Sequence, residues 1–130
     1  MLGVSMDDAE THGKWRDTAI DEGGIGAVKY PLLADTEKAM SNAYNVVHAD
    51  SGFALRATFL IDKEGVVQHS VQNNLPLGRD IDELLRVVDA LQFHEQHGEV
   101  CPAGWAPGKP GMTATPDGVK DYLKSNAGSL

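Results

Sequence analysis

The run Arg56-Ala57-Thr58-Phe59-Leu60-Ile61-Asp62, continued by Lys63-Glu64-Gly65 and then Val66 through Gln72, decides the fold. Two segments rich in β-branched and aromatic residues, joined by a short turn that ends in glycine, predict a hairpin. Val67 and Val71 share one face of its second strand while Gln68, Ser70 and Gln72 share the other, so that strand is expected to be half-buried. Upstream, Tyr30-Pro31-Leu32-Leu33-Ala34 reads as a short strand, with its proline near the start, where a strand end tolerates one. Met1-Leu2-Gly3-Val4-Ser5 reads as the end of a buried strand.

Helices separate these strands. Asp8 to Ile20 places Ala9, His12, Trp15 and Ala19 near helical spacing, with acidic residues at its N-terminal end. Gly23-Gly24-Ile25-Gly26 then breaks regular structure. Asp35 is expected to cap a second helix whose face is Ala39, Met40, Ala43 and Tyr44. The strongest helix runs from Asp80 to about Phe93. Its core stripe is Ile81, Leu84, Leu85, Val88 and Leu91, and Asp80 with Glu83 resembles a capping box. A last short helix has Thr115 as cap, Pro116 at its first position, and Val119, Tyr122 and Leu123 on one side. Strand, helix, strand, helix, hairpin and helix make an α/β domain with no internal repeat.

Composition narrows the function. The 130 residues suit one domain. With 11 basic against 19 acidic residues the net charge is −8. No dense basic run exists to neutralise phosphates, so a nucleic-acid partner is not expected. No apolar stretch is long enough for a membrane helix and the N-terminus has no signal-peptide pattern, so the expected location is cytoplasmic. No nucleotide fingerprint, phosphate loop or Ser/His/Asp set is visible.

The single cysteine, Cys101, lies in Gly98-Glu99-Val100-Cys101-Pro102-Ala103-Gly104-Trp105. It follows the last strong helix and opens a Pro/Gly-rich arm reaching Gly111. Proline after the cysteine opposes a helix there, and a thiol on such a segment is chemically accessible. One cysteine permits no internal disulfide, so any disulfide must involve another chain. Packing as a small hydrophobe is the bland alternative. His94, His97 and Cys101, at spacings of three and four, raise a metal-ligand alternative, but three ligands without a second cysteine make a poor zinc set. Solvated histidines at a helix end are the simpler reading.

This octapeptide resembles the resolving-cysteine motif of typical two-cysteine peroxiredoxins, the alkyl hydroperoxide reductase and thiol-specific antioxidant family. Leu2-Gly3-Val4-Ser5, Tyr30 to Asp35, Arg56 to Asp62 and Asn74-Leu75-Pro76-Leu77-Gly78-Arg79 extend the resemblance over nearly the whole chain. It implies a thioredoxin-like fold over residues 1–95 and a C-terminal arm with a short tail helix over 96–130. The Pro-x-x-x-Thr-x-x-Cys motif that carries the family's attacking thiol is not present. The expectation is a chain truncated at its N-terminus inside its sheet, with an exposed sheet edge.

The resemblance further implies a thiol peroxidase acting on hydrogen peroxide and organic hydroperoxides, without a cofactor or metal. Its reductant would be a thioredoxin-like protein or a flavoprotein disulfide reductase. It would form a homodimer or higher oligomer through an intersubunit disulfide. Cys101 matches the resolving thiol, and Arg56 and Arg79 match the family's active-site arginines. A guanidinium can stabilise a thiolate and hydrogen-bond peroxide oxygens. The bland readings are a strand-end arginine for Arg56 and a loop charge for Arg79. Gly23 to Gly26 and Tyr122-Leu123 resemble paired features that hold the arm in slow family members, with Leu123 replacing a phenylalanine. The rival function is an inactive fragment, or a non-enzymatic module that forms mixed disulfides with a complete peroxiredoxin.

Overall fold

A computed structural model describes residues 1–129. In chain order it contains β1 (Gly3–Ser5), α1 (Ala9–Asp17), β2 (Leu32–Ala34), α2 (Ala39–Ala43), β3 (Arg56–Ile61), β4 (Val67–Asn73), α3 (Ile81–His97) and α4 (Pro116–Asn126). The α/β order anticipated from the sequence is present. By contacts the chain forms two compact units. One comprises Met1–Thr58 with Val71–Arg79, and the other Phe59–Ser70 with the segment from Asp80 onward.

In the first unit β1 and β2 pair in parallel, with Gly3 opposite Leu32, Val4 opposite Leu33 and Ser5 opposite Ala34. A parallel pair needs a crossover connection, and α1 lies in it. Asp8 caps α1 by accepting from the Thr11 amide at 2.8 Å. Glycine at position 3 suits a close approach: a Cβ there would lie 2.6 Å from the end of the Leu32 side chain, which would have to shift. The strand expected at the N-terminus is therefore present, but Val4 is 44% exposed rather than buried. Its only strand neighbour among the described residues is β2, on one side.

His12 is buried, which its spacing alone does not reveal. Its Nε2 lies 2.7 Å from Ser5 Oγ, which donates to Asp7 Oδ2 at 2.9 Å. With the hydroxyl proton committed to the carboxylate, Nε2 carries the imidazole proton and Ser5 accepts it. Among the described residues, His12 Nδ1 is left buried without a partner.

The second helix departs from expectation. All four residues of its expected apolar face, Ala39, Met40, Ala43 and Tyr44, are exposed, and Ser41 is buried instead. The cause is Asp35, itself buried, which accepts from the Ser41 amide at 2.8 Å, the Ser41 hydroxyl at 2.7 Å and the Met40 amide at 3.0 Å. Asp35 thus satisfies the helix N-terminus as anticipated, but from upstream of the cap position. Lys38 occupies that position in a left-handed conformation, φ 59°. Polar capping, not an apolar stripe, sets the orientation of this five-residue helix.

The β3–β4 pair forms as expected, and its short connection makes it antiparallel. Asp62 builds the turn: Oδ1 accepts from the Glu64 and Val66 amides at 3.0 and 2.8 Å, and Oδ2 from Gln68 Nε2 at 2.7 Å. Gly65 supplies the positive φ of 85° that the turn requires. On β4, His69, Val71 and Asn73 are half-buried while Gln68, Ser70 and Gln72 are exposed, but Val67, expected on the covered face with Val71, is 48% exposed.

In the second unit α3 extends to His97, beyond the Phe93 expected from the apolar pattern. Histidines in the last turn suit the negative end of the helix dipole, and Gly98 closes it in a left-handed conformation, φ 70°. Asp80 Oδ1 accepts from the Glu83 amide at 3.0 Å, but the reciprocal half of a capping box is not made because Glu83 engages Arg86. Leu84, Val88 and Leu91 are half-buried, whereas Ile81 and Leu85 are 57% and 58% exposed, so the expected stripe is covered along only part of its width. Thr115 caps α4 through the Gly118 amide at 3.1 Å, with Pro116 in the first turn, as anticipated.

The hydrogen bonds to Asp35 hold its carboxyl below the ordinary carboxylate range, those from Ser41 most of all, against the opposing effect of burial. A depressed folded-state pKa gives stability that is complete above the unfolded value and lost as pH falls through the folded one. Asp35→Asn is therefore expected to lower the urea midpoint at pH 7. The difference from wild type should shrink as the solution is acidified below the usual aspartate pKa, and urea titrations at stepped pH check it.

Candidate active site

Cys101 lies in the second unit, just past the α3 cap. The segment leading to it is fixed by an isolated antiparallel bridge in which Val100 and Met112 exchange both amide hydrogen bonds, at 2.9 and 3.0 Å. His94 Nδ1 lies 2.7 Å from the Glu99 carbonyl. A carbonyl only accepts, so this nitrogen carries the proton. Glycine at 111 is dictated by proximity, since a Cβ there would sit 2.6 Å from both Phe93 and Glu99 side-chain atoms.

The thiol is half-buried and donates to the Ala90 carbonyl at 3.6 Å. Four residues on, Trp105 is 3% exposed. Its ring lies 4.9 Å from that of Phe93 at an interplanar angle of 46°, and its indole N–H donates to the Lys109 carbonyl at 3.0 Å. The Trp105 amide donates back to the Pro102 carbonyl at 3.0 Å, closing a turn immediately after the cysteine. The Trp105 carbonyl accepts from Arg86 Nη1 at 2.9 Å. Arg86 in turn grips Glu83 with two donors, Nε at 2.5 Å and Nη2 at 2.7 Å.

These surroundings set the electrostatics of the thiol. Burial pushes the Cys101 pKa up, and the Arg86 charge pulls it the other way without overcoming the burial. Glu83 is held below the ordinary glutamate range chiefly by its hydrogen bonds to Arg86. At neutral pH Cys101 is accordingly a protonated thiol, whereas an attacking cysteine needs a depressed pKa.

Arg56 and Arg79 belong to the first unit, and the structure brings them to one place, the start of β3. Arg56 Nε is directed at the Leu75 carbonyl at 3.4 Å, and Arg79 Nη1 at the Ala57 carbonyl, beside Arg56, at 3.3 Å. Both side chains are exposed, and among the described residues neither forms an ion pair. Each guanidinium has five donors, so both can still receive an oxygen ligand. Arg56 was expected at the head of a buried strand; β3 is half-buried and the arginine lies at its exposed end.

His97 stacks at 4.6 Å on Phe93, and among the described residues no three His, Cys, Asp or Glu side chains gather to hold a metal. Gly24 packs where a Cβ would collide with the Thr18 carbonyl. Tyr122 is half-buried on α4 and Leu123 is 42% exposed. Among the described residues no helix is long and apolar enough to cross a membrane. Sequence reading missed Arg86, whose only local sign is the Glu83/Arg86 spacing of a helical ion pair.

The chain is thus an α/β protein with a single thiol on a turn-rich arm and, among the described residues, two arginines free of ion pairs at a strand end. The sequence matches the AhpC/TSA family over residues 1–70, and the C-terminal domain of 1-Cys peroxiredoxin over residues 90–125. It is 51% identical over 127 residues to alkyl hydroperoxide reductase C of Helicobacter pylori, covering 98% of this chain and 64% of that protein. It is 49% identical over 123 residues to the chloroplastic 2-Cys peroxiredoxin BAS1 of Hordeum vulgare, covering 95% and 59%. The crystal structure of reduced 2-Cys peroxiredoxin from Plasmodium vivax superposes with a TM-score of 0.90 at 48% identity, covering 95% of this chain and 63% of that one. The chain belongs to the AhpC/TSA family and has its thioredoxin-like fold. It spans 64% or less of the length of these curated relatives.

The raised thiol pKa generates a prediction. In the folded chain the pH profile of Cys101 alkylation by iodoacetamide should have its inflection at higher pH than in the urea-unfolded chain. Parallel rate measurements on the two states check it.

Proposed function

We propose that this chain serves the thiol-dependent reduction of hydrogen peroxide and organic hydroperoxides, an antioxidant activity, with Cys101 as its resolving thiol. In the first step a thiolate on another chain attacks the terminal peroxide oxygen. The O–O bond breaks, water or an alcohol leaves, and the sulfur becomes a sulfenic acid. Cys101 then attacks that sulfur: an S–S bond forms, the S–O bond breaks, and the thiol proton leaves with the hydroxide as water. A thioredoxin-like protein or a flavoprotein disulfide reductase returns two electrons and two protons. In this reading Arg56 and Arg79 hold the peroxide oxygens. Residues 1–95 are the thioredoxin-like body and residues 96–130 the arm. Chains associate as dimers or larger oligomers through an intersubunit disulfide, in the cytoplasm, with no metal or organic cofactor.

The observation that carries the proposal is the setting of Cys101. Its thiol is half-buried with a pKa pushed up by burial, and it lies between a β-bridge and a turn. A thiol with a raised pKa is a poor attacker on peroxide, whereas as second reactant its small thiolate fraction meets a sulfenic sulfur that is already an activated electrophile. The presence of only one cysteine favours a second reading, in which the chain is a non-catalytic module that captures the sulfenic acid of a complete family member. Both readings put the attacking thiol on another chain.

Mixed with a full-length two-cysteine peroxiredoxin and treated with hydrogen peroxide, the chain should give an adduct of summed mass on a non-reducing gel. The adduct should vanish with dithiothreitol and with Cys101→Ser. Purified alone, the chain should show no peroxide turnover with a thioredoxin system. Cys101-dependent turnover would overturn the assignment of the attacking thiol to another chain.

A further inference from the structure

Arg86 belongs to none of the motifs read from the sequence, yet it is the point where α3 grips the segment after Cys101. Its side chain is 31% exposed, and Glu83 fixes its orientation by occupying Nε and Nη2. That leaves Nη1 directed at the Trp105 carbonyl, 2.9 Å away. A planar fork can serve a carboxylate and a carbonyl at once in fixed geometry, which a lysine ammonium cannot. We propose that Arg86, oriented by Glu83, is the positioning residue that latches the Cys101 segment to α3, and that breaking this contact is what releases the thiol.

The distribution of fasteners supports the assignment. The Val100–Met112 bridge and the His94–Glu99 contact hold the chain on the N-terminal side of Cys101. On the C-terminal side the turn from Pro102 to Trp105 is tied to α3 by the Arg86 hydrogen bond and by the Trp105 ring against Phe93. The thiol's own bond to the Ala90 carbonyl is long and made by a weak donor. When Arg86 lets go and the Trp105 ring lifts from Phe93 with it, residues 101–105 can swing while the Val100 bridge stays closed, a local opening and not an unfolding of the unit. The latch deepens the reading of Cys101 as a resolving thiol and takes its significance from that reading, while its geometry stands apart from it.

The test measures Cys101 alkylation by iodoacetamide at a pH above the thiol's titration, so that the rate reports exposure and not ionisation. Arg86→Gln removes the fork, and loss of one charge-assisted hydrogen bond is expected to raise the alkylation rate about tenfold. Below the unfolding transition the rate should not change with urea, as expected of a local opening that exposes little surface. Glu83→Gln, which keeps Arg86 but weakens its orientation, should give a smaller increase in the same direction. An Arg86→Gln rate within about twofold of wild type would overturn the proposal. So would a rate in Arg86→Gln that climbs with urea below the unfolding transition, which would make the exposure a global unfolding and Arg86 a general structural residue. If Cys101 forms no adduct with a peroxide-treated partner and yet Arg86→Gln accelerates alkylation, the proposed function fails and the latch stands.

Discussion

Burial of the Trp105 indole against Phe93 is the contact around which the thiol-bearing segment is arranged. Burying a side chain of this class stabilises by about 1.5–3 kcal/mol, and an aromatic pair adds about 0.5–1.5 kcal/mol. The gain is realised only if the indole N–H finds an acceptor, and the Lys109 carbonyl supplies one. To bring that carbonyl round, the chain turns back within four residues, with Gly104 and Gly108 at φ 67° and 86°. The glycines of the arm are thus a consequence of anchoring the tryptophan, and the position of Cys101 follows from the same anchor.

An anchor of that kind leaves the thiol in an intermediate condition. Cys101 is covered enough for burial to disfavour its thiolate, but its hydrogen bond to the Ala90 carbonyl is a weak one. The contacts after it are one ring pair and one arginine, and both can break without disturbing the helix beneath. Segments held by few apolar contacts and exposed hydrogen bonds open at low cost relative to global unfolding. Quiet when docked and available when released, the thiol has a chemistry governed more by the position of the arm than by its intrinsic acidity.

Features of this protein that depend on neighbours in sequence were legible from the sequence. Thr115 before Pro116, Asp80 before the long apolar helix and Gly65 in the hairpin turn each satisfy a requirement set within three or four residues. Features that depend on distant partners were not. Met40 and Tyr44 have helical spacing, but Asp35 holds Ser41 inward and turns the apolar residues out. His12 looks like an ordinary helix residue until Ser5 is placed beside it by strand pairing. Arg86 looks like half of a surface ion pair until the arm returns and sets the Trp105 carbonyl against it. Of the candidate site, the octapeptide announced Cys101 and the strand head announced Arg56. The residue that holds the cysteine in place carried no sequence signal of its own, because its partner is a main-chain carbonyl, which any residue type can present.

The contrast between the arginines follows from charge accounting in a chain of net charge −8. With 19 acidic residues against 11 basic ones, a carboxylate is available to pair with almost any exposed guanidinium. Arg86 takes that course: Glu83 neutralises it, its Nη1 serves a carbonyl, and its role is mechanical. Arg56 and Arg79 do not; at the start of β3 each meets a main-chain oxygen, and their positive charge is unopposed by any salt bridge among the described residues. Two like charges placed near one strand end repel. In the proposed function, a peroxide oxygen or a thiolate brought to these guanidiniums would offset that repulsion. The paired arginine holds the arm, and under the proposed function the other two receive the peroxide oxygens.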